Sequence, residues 1–203
     1  MRLSIWYVSK YIAPPGSGTV GGRGYLLMKE LAQIGHCVAL ITSDSNQLAD
    51  PPKLNANYLI QQSDGMQLCW VSTIKYSVAK SMRRLLSWLH FEWRLLRMPK
   101  QELPVPDVVV VSSLSLLTVL NGLWWRARYK CRLVFEVRDI WPLTLTEEGG
   151  FSPANPVVWI LGFIERLGYK YADSIVGTMQ NLGEHVQNVL GYSKITHCIP
   201  MGV

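Results

Sequence analysis

Within eight residues, Phe135-Glu136-Val137-Arg138-Asp139-Ile140-Trp141-Pro142, the sequence places two carboxylates around an arginine and then turns at a Trp-Pro pair. A carboxylate beside a guanidinium stays ionised, and so Asp139 could accept a proton from a hydroxyl or orient one. Glu136 and Arg138 complete this candidate catalytic group. The same residues could instead form an ion pair that staples a loop, and the sequence leaves both roles open.

A second grouping is the loop Ala13-Pro14-Pro15-Gly16-Ser17-Gly18-Thr19-Val20-Gly21-Gly22-Arg23-Gly24, which carries five glycines between an expected strand and an expected helix. Glycines let a backbone approach a ligand and turn its N–H groups outward, and a helix start adds positive potential for an anion. Gly18, Gly21, Gly22 and Arg23 are therefore candidates to bind a phosphate, with Arg23 offering a bidentate contact. The alternative is a flexible surface turn. The spacing is not the dinucleotide fingerprint GxGxxG, and Asp44 only approximates the acidic residue that should follow it. With no YxxxK pair present either, a sugar-nucleotide dehydrogenase or epimerase is disfavoured.

The third candidate lies on a long helix expected over Val78–Met98. Helical spacing puts Met82, Leu85, Leu86, Leu89, Trp93 and Leu96 on one arc, which predicts the core stripe. Trp88, Phe91 and Leu95 fall on the opposite side near Arg84, flanked by Lys80, Arg83 and Arg94. A second apolar stripe rimmed by bases suits insertion into an anionic membrane surface, with Arg84, Trp88, Phe91, Arg94 and Leu95 as the membrane or acceptor face. Contact with another domain or a dimer partner fits the same pattern. Trp124-Trp125-Arg126-Ala127-Arg128 repeats the style.

Other chemistries find no support. His36, His90, His185 and His197 show no metal-ligand spacing, and Cys37, Cys69, Cys131 and Cys198 stand singly, with no CxxC pair. Isolated cysteines favour a reduced, cytoplasmic compartment. No GxSxG elbow or Walker lysine occurs.

These groups must be held by a frame of alternating elements. Leu3–Val8, Cys37–Thr42, Met66–Val71, Asp107–Val111, Arg132–Val137, Ser174–Gly177 and Thr196–Ile199 read as strands. Tyr25–Ile34, Leu114–Tyr129, Pro156–Tyr171 and Asn181–Leu190 read as helices, with Gly35 a C-cap, and 47–63 as a loop. The run of four valines at 108–111 is the pattern of a strand covered on both faces. Alternation with short connections predicts an α/β fold, a Rossmann-like parallel sheet flanked by helices. Ligands should then gather at the carboxyl ends, in the loops after Val8, Val111, Val137 and Gly177.

The 203 residues suffice for one well-cored domain, and 49% hydrophobic with 17% charged residues is a globular composition. The net charge of +6 fits an anionic lipid or a phosphorylated substrate. No nucleic-acid module is recognisable, so nucleic acid is not an expected partner. The opening residues lack a signal-peptide pattern, and no stretch reaches the roughly eighteen uncharged apolar residues of a membrane span.

Taken in order, these residues resemble the family 4 glycosyltransferases of GT-B fold. Gly21-Gly22 through Leu31 to Gly35-His36-Cys37-Val38 is similar to the family's Gly-rich loop and helix ending in "GH". Arg138-Asp139-Ile140-Trp141-Pro142 is similar to the "RDxWP" signature of its O-antigen and capsule branch, which includes N-acetylfucosamine-type transferases. Glu165-Arg166 to Tyr171-Ala172-Asp173-Ser174-Ile175-Val176 matches an "E…Y…AD.iv" helix and strand. Ile199-Pro200-Met201-Gly202-Val203 is similar to the "iPNGVD" junction, with Met201 in place of Asn. Many members place a His where Arg138 stands, which makes Asp139 the candidate proton acceptor or orienting group here.

The resemblance implies that residues 1–203 are the N-terminal, acceptor-side GT-B domain, with the nucleotide-sugar domain lying beyond the junction. It implies retaining transfer of a sugar, an N-acetylated aminosugar for this branch, from a nucleotide-diphosphate donor, UDP-linked by expectation, without a cofactor or metal. The acceptor would be a polyprenyl-diphosphate-linked glycan at the inner face of the bacterial cytoplasmic membrane, and residues 1–203 alone would not turn over substrate. The competing expectation is a non-catalytic membrane-anchoring or partner domain of a split glycosyltransferase.

Overall fold

Strand and helix follow the hydrophobic periodicity closely in the computed structural model, which describes residues 1–16, 21–76, 82–99, 102–147 and 150–200. The order is β1 (Ser4–Val8), α1 (Arg23–Gln33), β2 (Cys37–Ser43), β3 (Tyr58–Ser63), β4 (Met66–Val71), α2 (Met82–Arg97), β5 (Val108–Ser112), α3 (Thr118–Tyr129), β6 (Arg132–Val137), α4 (Leu143–Glu147), α5 (Pro156–Tyr171), β7 (Ser174–Gly177), α6 (Leu182–Leu190) and β8 (Thr196–Cys198). The strands form one mostly parallel sheet in the order β3-β4-β2-β1-β5-β6-β7-β8, flanked by helices. The chain divides into two compact units, Met1–Val109 and Val110–Val203.

In the first unit β1 runs parallel to β2, with Ser4 opposite Cys37 and Val8 opposite Ile41. β2 runs parallel to β4, with Ala39 opposite Gln67. Nearly continuous burial of Ile5–Val8 and Val38–Ile41 is what a sheet covered on both faces requires. The "GH" pair has a local physical cause. Gly35 adopts φ +101°, its N–H donates to Ala32 O, and His36 N–H donates to Leu31 O, which closes α1 as a Schellman motif. The His36 ring then accepts the Leu3 amide at Nδ1, 3.1 Å away, so one residue ends a helix and anchors the start of β1.

β3 corrects the loop expected over 47–63. It pairs antiparallel with β4 from Tyr58↔Val71 to Ser63↔Met66. The turn between them is Asp64-Gly65, both at positive φ (49° and 78°), as a tight hairpin demands.

α2 corrects the assignment of its two faces. Phe91 and Leu95 are fully buried (0%), with Ser87 beside them, whereas Met82, Leu86, Leu89, Trp93 and Leu96 are exposed. The buried side carries Met98 against Cys69 of β4 (Sδ–Sγ 3.8 Å), and Tyr58 donates to the Arg94 carbonyl. Periodicity finds apolar arcs but does not say which one packs. Here Ser87, Phe91 and Leu95, spaced at i, i+4 and i+8, form the packed stripe, and the small Ser87 allows close approach. Phe91 and Leu95 therefore cannot belong to an outward membrane face. The expected helix start before Met82 lies outside the described residues.

In the second unit β6 runs parallel to β7 (Val134↔Ser174 to Val137↔Gly177), and β7 to β8. Asn155 caps α5, its side chain accepting the Val157 amide at 2.9 Å with Pro156 at the first helical position. Helices reach this sheet through glycines: a Cβ at Gly122 would lie 2.8 Å from Leu133, and one at Gly168 would lie 2.8 Å from Phe135. The short helix α4, just after the Trp141-Pro142 turn, was not anticipated from the sequence.

Candidate functional site

In the second unit, β6 buries Phe135, Glu136 and Val137 and delivers Arg138 and Asp139, both half-buried, just past its carboxyl end. One hydroxyl holds the turn. Ser113, in a 3-10 turn over Ser113–Ser115, accepts the amides of Arg138 (2.8 Å) and Asp139 (2.9 Å) at its Oγ. A hydroxyl oxygen has two lone pairs, and these two amides use both. The backbone at the candidate catalytic pair is thus fixed by a residue that sequence reading passed over. A Ser directly after the valine strand was the available signal.

The turn continues into α4 through Thr144 N–H to Ile140 O and Leu145 N–H to Pro142 O. Glu136, Arg138 and Asp139 are therefore together at one strand end, as the spacing required.

In the first unit, the Gly-rich loop enters α1. Gly21 takes φ +95°, while Gly22 donates its amide to the Ala13 carbonyl at 2.7 Å. Gly22 thus does not turn its N–H outward as expected; that group closes the loop on itself. Gly24 lies against Tyr7, where an added Cβ would be 2.6 Å from the phenol oxygen. Much of the glycine content serves packing. Arg23 opens α1, half-buried, at the end where helix amides favour an anion. Gly18 lies outside the described residues. Beside Pro14 and Gly16 is a cavity of about 420 Å³, lined also by Asp50, Gln61, Ser63 and Trp70, a size suited to a small ligand.

Also in the first unit, the carboxyl ends of β1, β2 and β4 carry a polar cluster that the motifs did not reveal. Lys10 is fully buried, donating from Nζ to Ser43 Oγ (3.2 Å) and to the Ser45 carbonyl (2.8 Å). Burial lowers its pKa to about 7, opposed by Asp44 and reinforced by Lys75 and Arg84. Asp44 in turn pairs with Lys75 (2.8 Å) and accepts the Thr73 amide. Half-buried Tyr11 and Tyr76 lie over this base and are joined to each other and to half-buried Trp88 by hydrogen bonds.

The remaining motif residues have structural duties in the second unit. Glu165, buried, accepts from the Tyr169 hydroxyl (3.0 Å) and lies 3.0 Å from His185 Nε2. Asp173 receives both arms of Arg126 at 2.8 Å and the Leu133 amide, which joins the start of β7 to β6. Among the described residues, no group of three or more His, Cys, Asp or Glu gathers as a metal site.

The alternating strands and flanking helices define a Rossmann-like domain, that of the N-terminal half of a GT-B glycosyltransferase. Sucrose-phosphate synthase from Thermosynechococcus elongatus matches with a TM-score of 0.60 at 13% identity, over 100% of this chain and 49% of its own. An E. coli structure described as trehalose-6-phosphate bound with UDP-2-fluoro glucose matches at 0.59 and 12%, over 98% of this chain and 49% of that one. TcCGT1 in complex with UDP matches at 0.53 and 11%, over 100% and 51%. The chain thus spans about half the length of these structures. No curated protein matches it in sequence. The family model described as a glycosyl transferase 4-like domain matches residues 18–202, and the chain belongs to that family.

Proposed function

We propose that this chain is the N-terminal, acceptor-side domain of a two-domain retaining glycosyltransferase of bacterial O-antigen or capsule synthesis. It would act with a nucleotide-binding domain to move an N-acetylated aminosugar from a UDP-linked donor to a polyprenyl-diphosphate-linked glycan. The observation that carries this reading is the Arg138-Asp139-Ile140-Trp141-Pro142 turn, clamped by Ser113 at a strand's carboxyl end within a glycosyl transferase 4-like domain. The UDP and UDP-2-fluoro glucose named with two structural neighbours favour a UDP-linked donor.

In the transfer, Asp139 accepts the proton of the acceptor hydroxyl as its oxygen bonds to the sugar's anomeric carbon. The bond from that carbon to the donor diphosphate breaks, and the nucleoside diphosphate leaves with the electron pair. Arg138 neutralises charge that develops on the reacting oxygens, and Glu136 supports the strand end from within. In the first unit, Arg23, with Gly21 and the first amides of α1, suits a phosphate group of a substrate.

The outward face of α2 is the membrane contact in this proposal. Met82, Leu86, Leu89, Trp93 and Leu96 face outward with exposed Arg83 and Arg97, and the Arg97 guanidinium lies 4.3 Å from the Trp93 ring centroid. An apolar stripe rimmed by arginines suits an anionic bilayer surface. No helix of the described residues is long and apolar enough to cross a membrane, and peripheral attachment at the inner face is the arrangement we propose.

The test is transfer of radiolabelled sugar from a panel of UDP-aminosugars to lipid acceptor extracted from membranes, with the protein supplied together with its nucleotide-binding domain. Transfer from one donor to lipid is expected. Transfer to water alone, or from no sugar nucleotide, would overturn the reading.

A further inference from the structure

The proposed transfer brings together two substrates that each carry a diphosphate, and the start of α1 provides for one. Trp88 donates from Nε1 to the Tyr11 hydroxyl at 2.7 Å, and that hydroxyl is 2.9 Å from the hydroxyl of Tyr76. An indole can only donate, so the Tyr11 oxygen accepts from Trp88, and either phenol can be the donor in the bond between Tyr11 and Tyr76. The phenol pair has two hydrogens and one mutual bond, so among the described residues one hydrogen is left to meet an incoming oxygen. Burial pushes the Tyr76 phenol further above its ordinary range, so it remains a donor throughout neutral pH.

Positive charge surrounds this relay. The Arg84 guanidinium lies 5.1 Å from the Trp88 ring centroid, and Lys10 Nζ lies 5.3 Å from that of Tyr11 and 5.6 Å from that of Tyr76. Asp44 and Glu92 are the acidic groups acting on Lys10, and Asp44 is already paired with Lys75.

The platform is also rigid. Thr42 Oγ1 donates to the Lys10 carbonyl and accepts the Ile12 amide, Asn46 Nδ2 donates to the Ile12 carbonyl, and Ser43 Oγ is 2.6 Å from Thr73 Oγ1. These bonds tie the segment after β1 to those after β2 and β4, at the sheet edge where open α/β folds place ligands. A fixed donor in a basic, partly desolvated setting discriminates better than a mobile one.

We propose that Tyr11, Tyr76, Trp88 and Arg84, over buried Lys10, form a binding site for the diphosphate group of a substrate. The site rests on the transferase reading only for the expectation that the substrates bear diphosphates. Its oxygen acceptors are those of a phosphoryl group, met by the spare hydrogen of the Tyr11–Tyr76 pair and by the Arg84 guanidinium.

The test is titration of the protein with inorganic pyrophosphate, followed by the NMR signal of the Trp88 indole N–H, assigned with Trp88→Phe. UDP and farnesyl diphosphate are titrated in parallel by calorimetry. Pyrophosphate is expected to shift the Trp88 signal, and Tyr76→Phe, which keeps the ring, is expected to weaken binding at least tenfold, as for one hydrogen bond to a charged group. Arg84→Gln is expected to weaken it similarly, with the thermal midpoint of both variants near that of the parent.

A loss confined to farnesyl diphosphate assigns the site to the lipid-linked substrate, and a loss confined to UDP assigns it to the donor; either supports the site. An unmoved Trp88 signal at millimolar pyrophosphate, or equal binding by both variants, would overturn it. None of these readouts requires transfer, so failure of the transferase reading would register separately.

Discussion

Helix α2 carries two apolar arcs, and truncation on each should have opposite consequences. Phe91 and Leu95 are fully buried, whereas Trp93 is 44% exposed on the other side of the same helix. Phe91→Ala removes a ring from a packed site and leaves a cavity, at a cost of about 3–5 kcal/mol. That is a large fraction of the roughly 5–15 kcal/mol that holds a domain together. Trp93→Ala removes a larger side chain, but from the partly exposed outer face, and should cost about 1 kcal/mol or less. Urea unfolding followed by far-UV circular dichroism reads both, and similar slopes would show that only stability changed.

Vesicle flotation with anionic lipid should rank the two in the reverse order. A folded Leu89→Ser/Trp93→Ser variant is expected to lose most binding, while Leu95→Val, a mild change in the buried arc, keeps it. If Trp93→Ala costs as much stability as Phe91→Ala, the placement of the helix faces is wrong. If the Leu89→Ser/Trp93→Ser variant floats like the parent, the outward face is not the membrane contact.

Three further outcomes follow from particular contacts. Arg126, gripping Asp173 through two nitrogens, with help from the Leu133 amide, holds the Asp173 carboxyl at about 2, below its ordinary value near 3.8. The stability it provides is therefore present above about pH 4 and lost as pH falls from about 4 to about 2. With both side chains partly exposed, Asp173→Asn should cost about 1 kcal/mol at neutral pH and almost nothing at pH 2, read by denaturant unfolding at each pH. Ser113→Ala strips the shared acceptor from the Arg138 and Asp139 amides, and should cost about 1–3 kcal/mol and lower transfer more than donor binding, measured by calorimetry and by initial rates. Gly24→Ala forces a methyl to within 2.6 Å of the Tyr7 hydroxyl, and should destabilise by about 1–3 kcal/mol in thermal unfolding.

The strand frame could be read in advance because a parallel sheet leaves an unmistakable trace. Arg132–Val137, Ser174–Gly177 and Met66–Val71 were bounded to the residue, as was the helix Pro156–Tyr171, where an Asn-Pro pair marks the start. The Glu136 to Pro142 grouping was visible for the same reason, since its members are neighbours in sequence.

What could not be read depends on pairing across distance. Tyr58–Leu59-Ile60 sits in a polar stretch after Pro51-Pro52 and becomes a strand only because Asp64-Gly65 folds it back on β4. The faces of α2 are settled by what β4 presents to them, not by the helix's own periodicity. Nothing in the residues around Lys10 marks it for burial, which follows from Ser43 and Ser45, more than thirty residues away. Ser113 is likewise distant from the amides it holds.

If Asp139 works on the acceptor hydroxyl in a sugar transfer, Asp139→Asn should disable it, because the variant keeps the shape of the side chain and removes its basicity. The measurement is the initial rate of radiolabelled sugar transfer from the accepted UDP-sugar to lipid acceptor, parent against variant, with circular dichroism confirming the fold. The rate in the variant should fall about 10²-fold or more, with its melting midpoint unchanged. Transfer by Asp139→Asn at the parental rate would contradict that role.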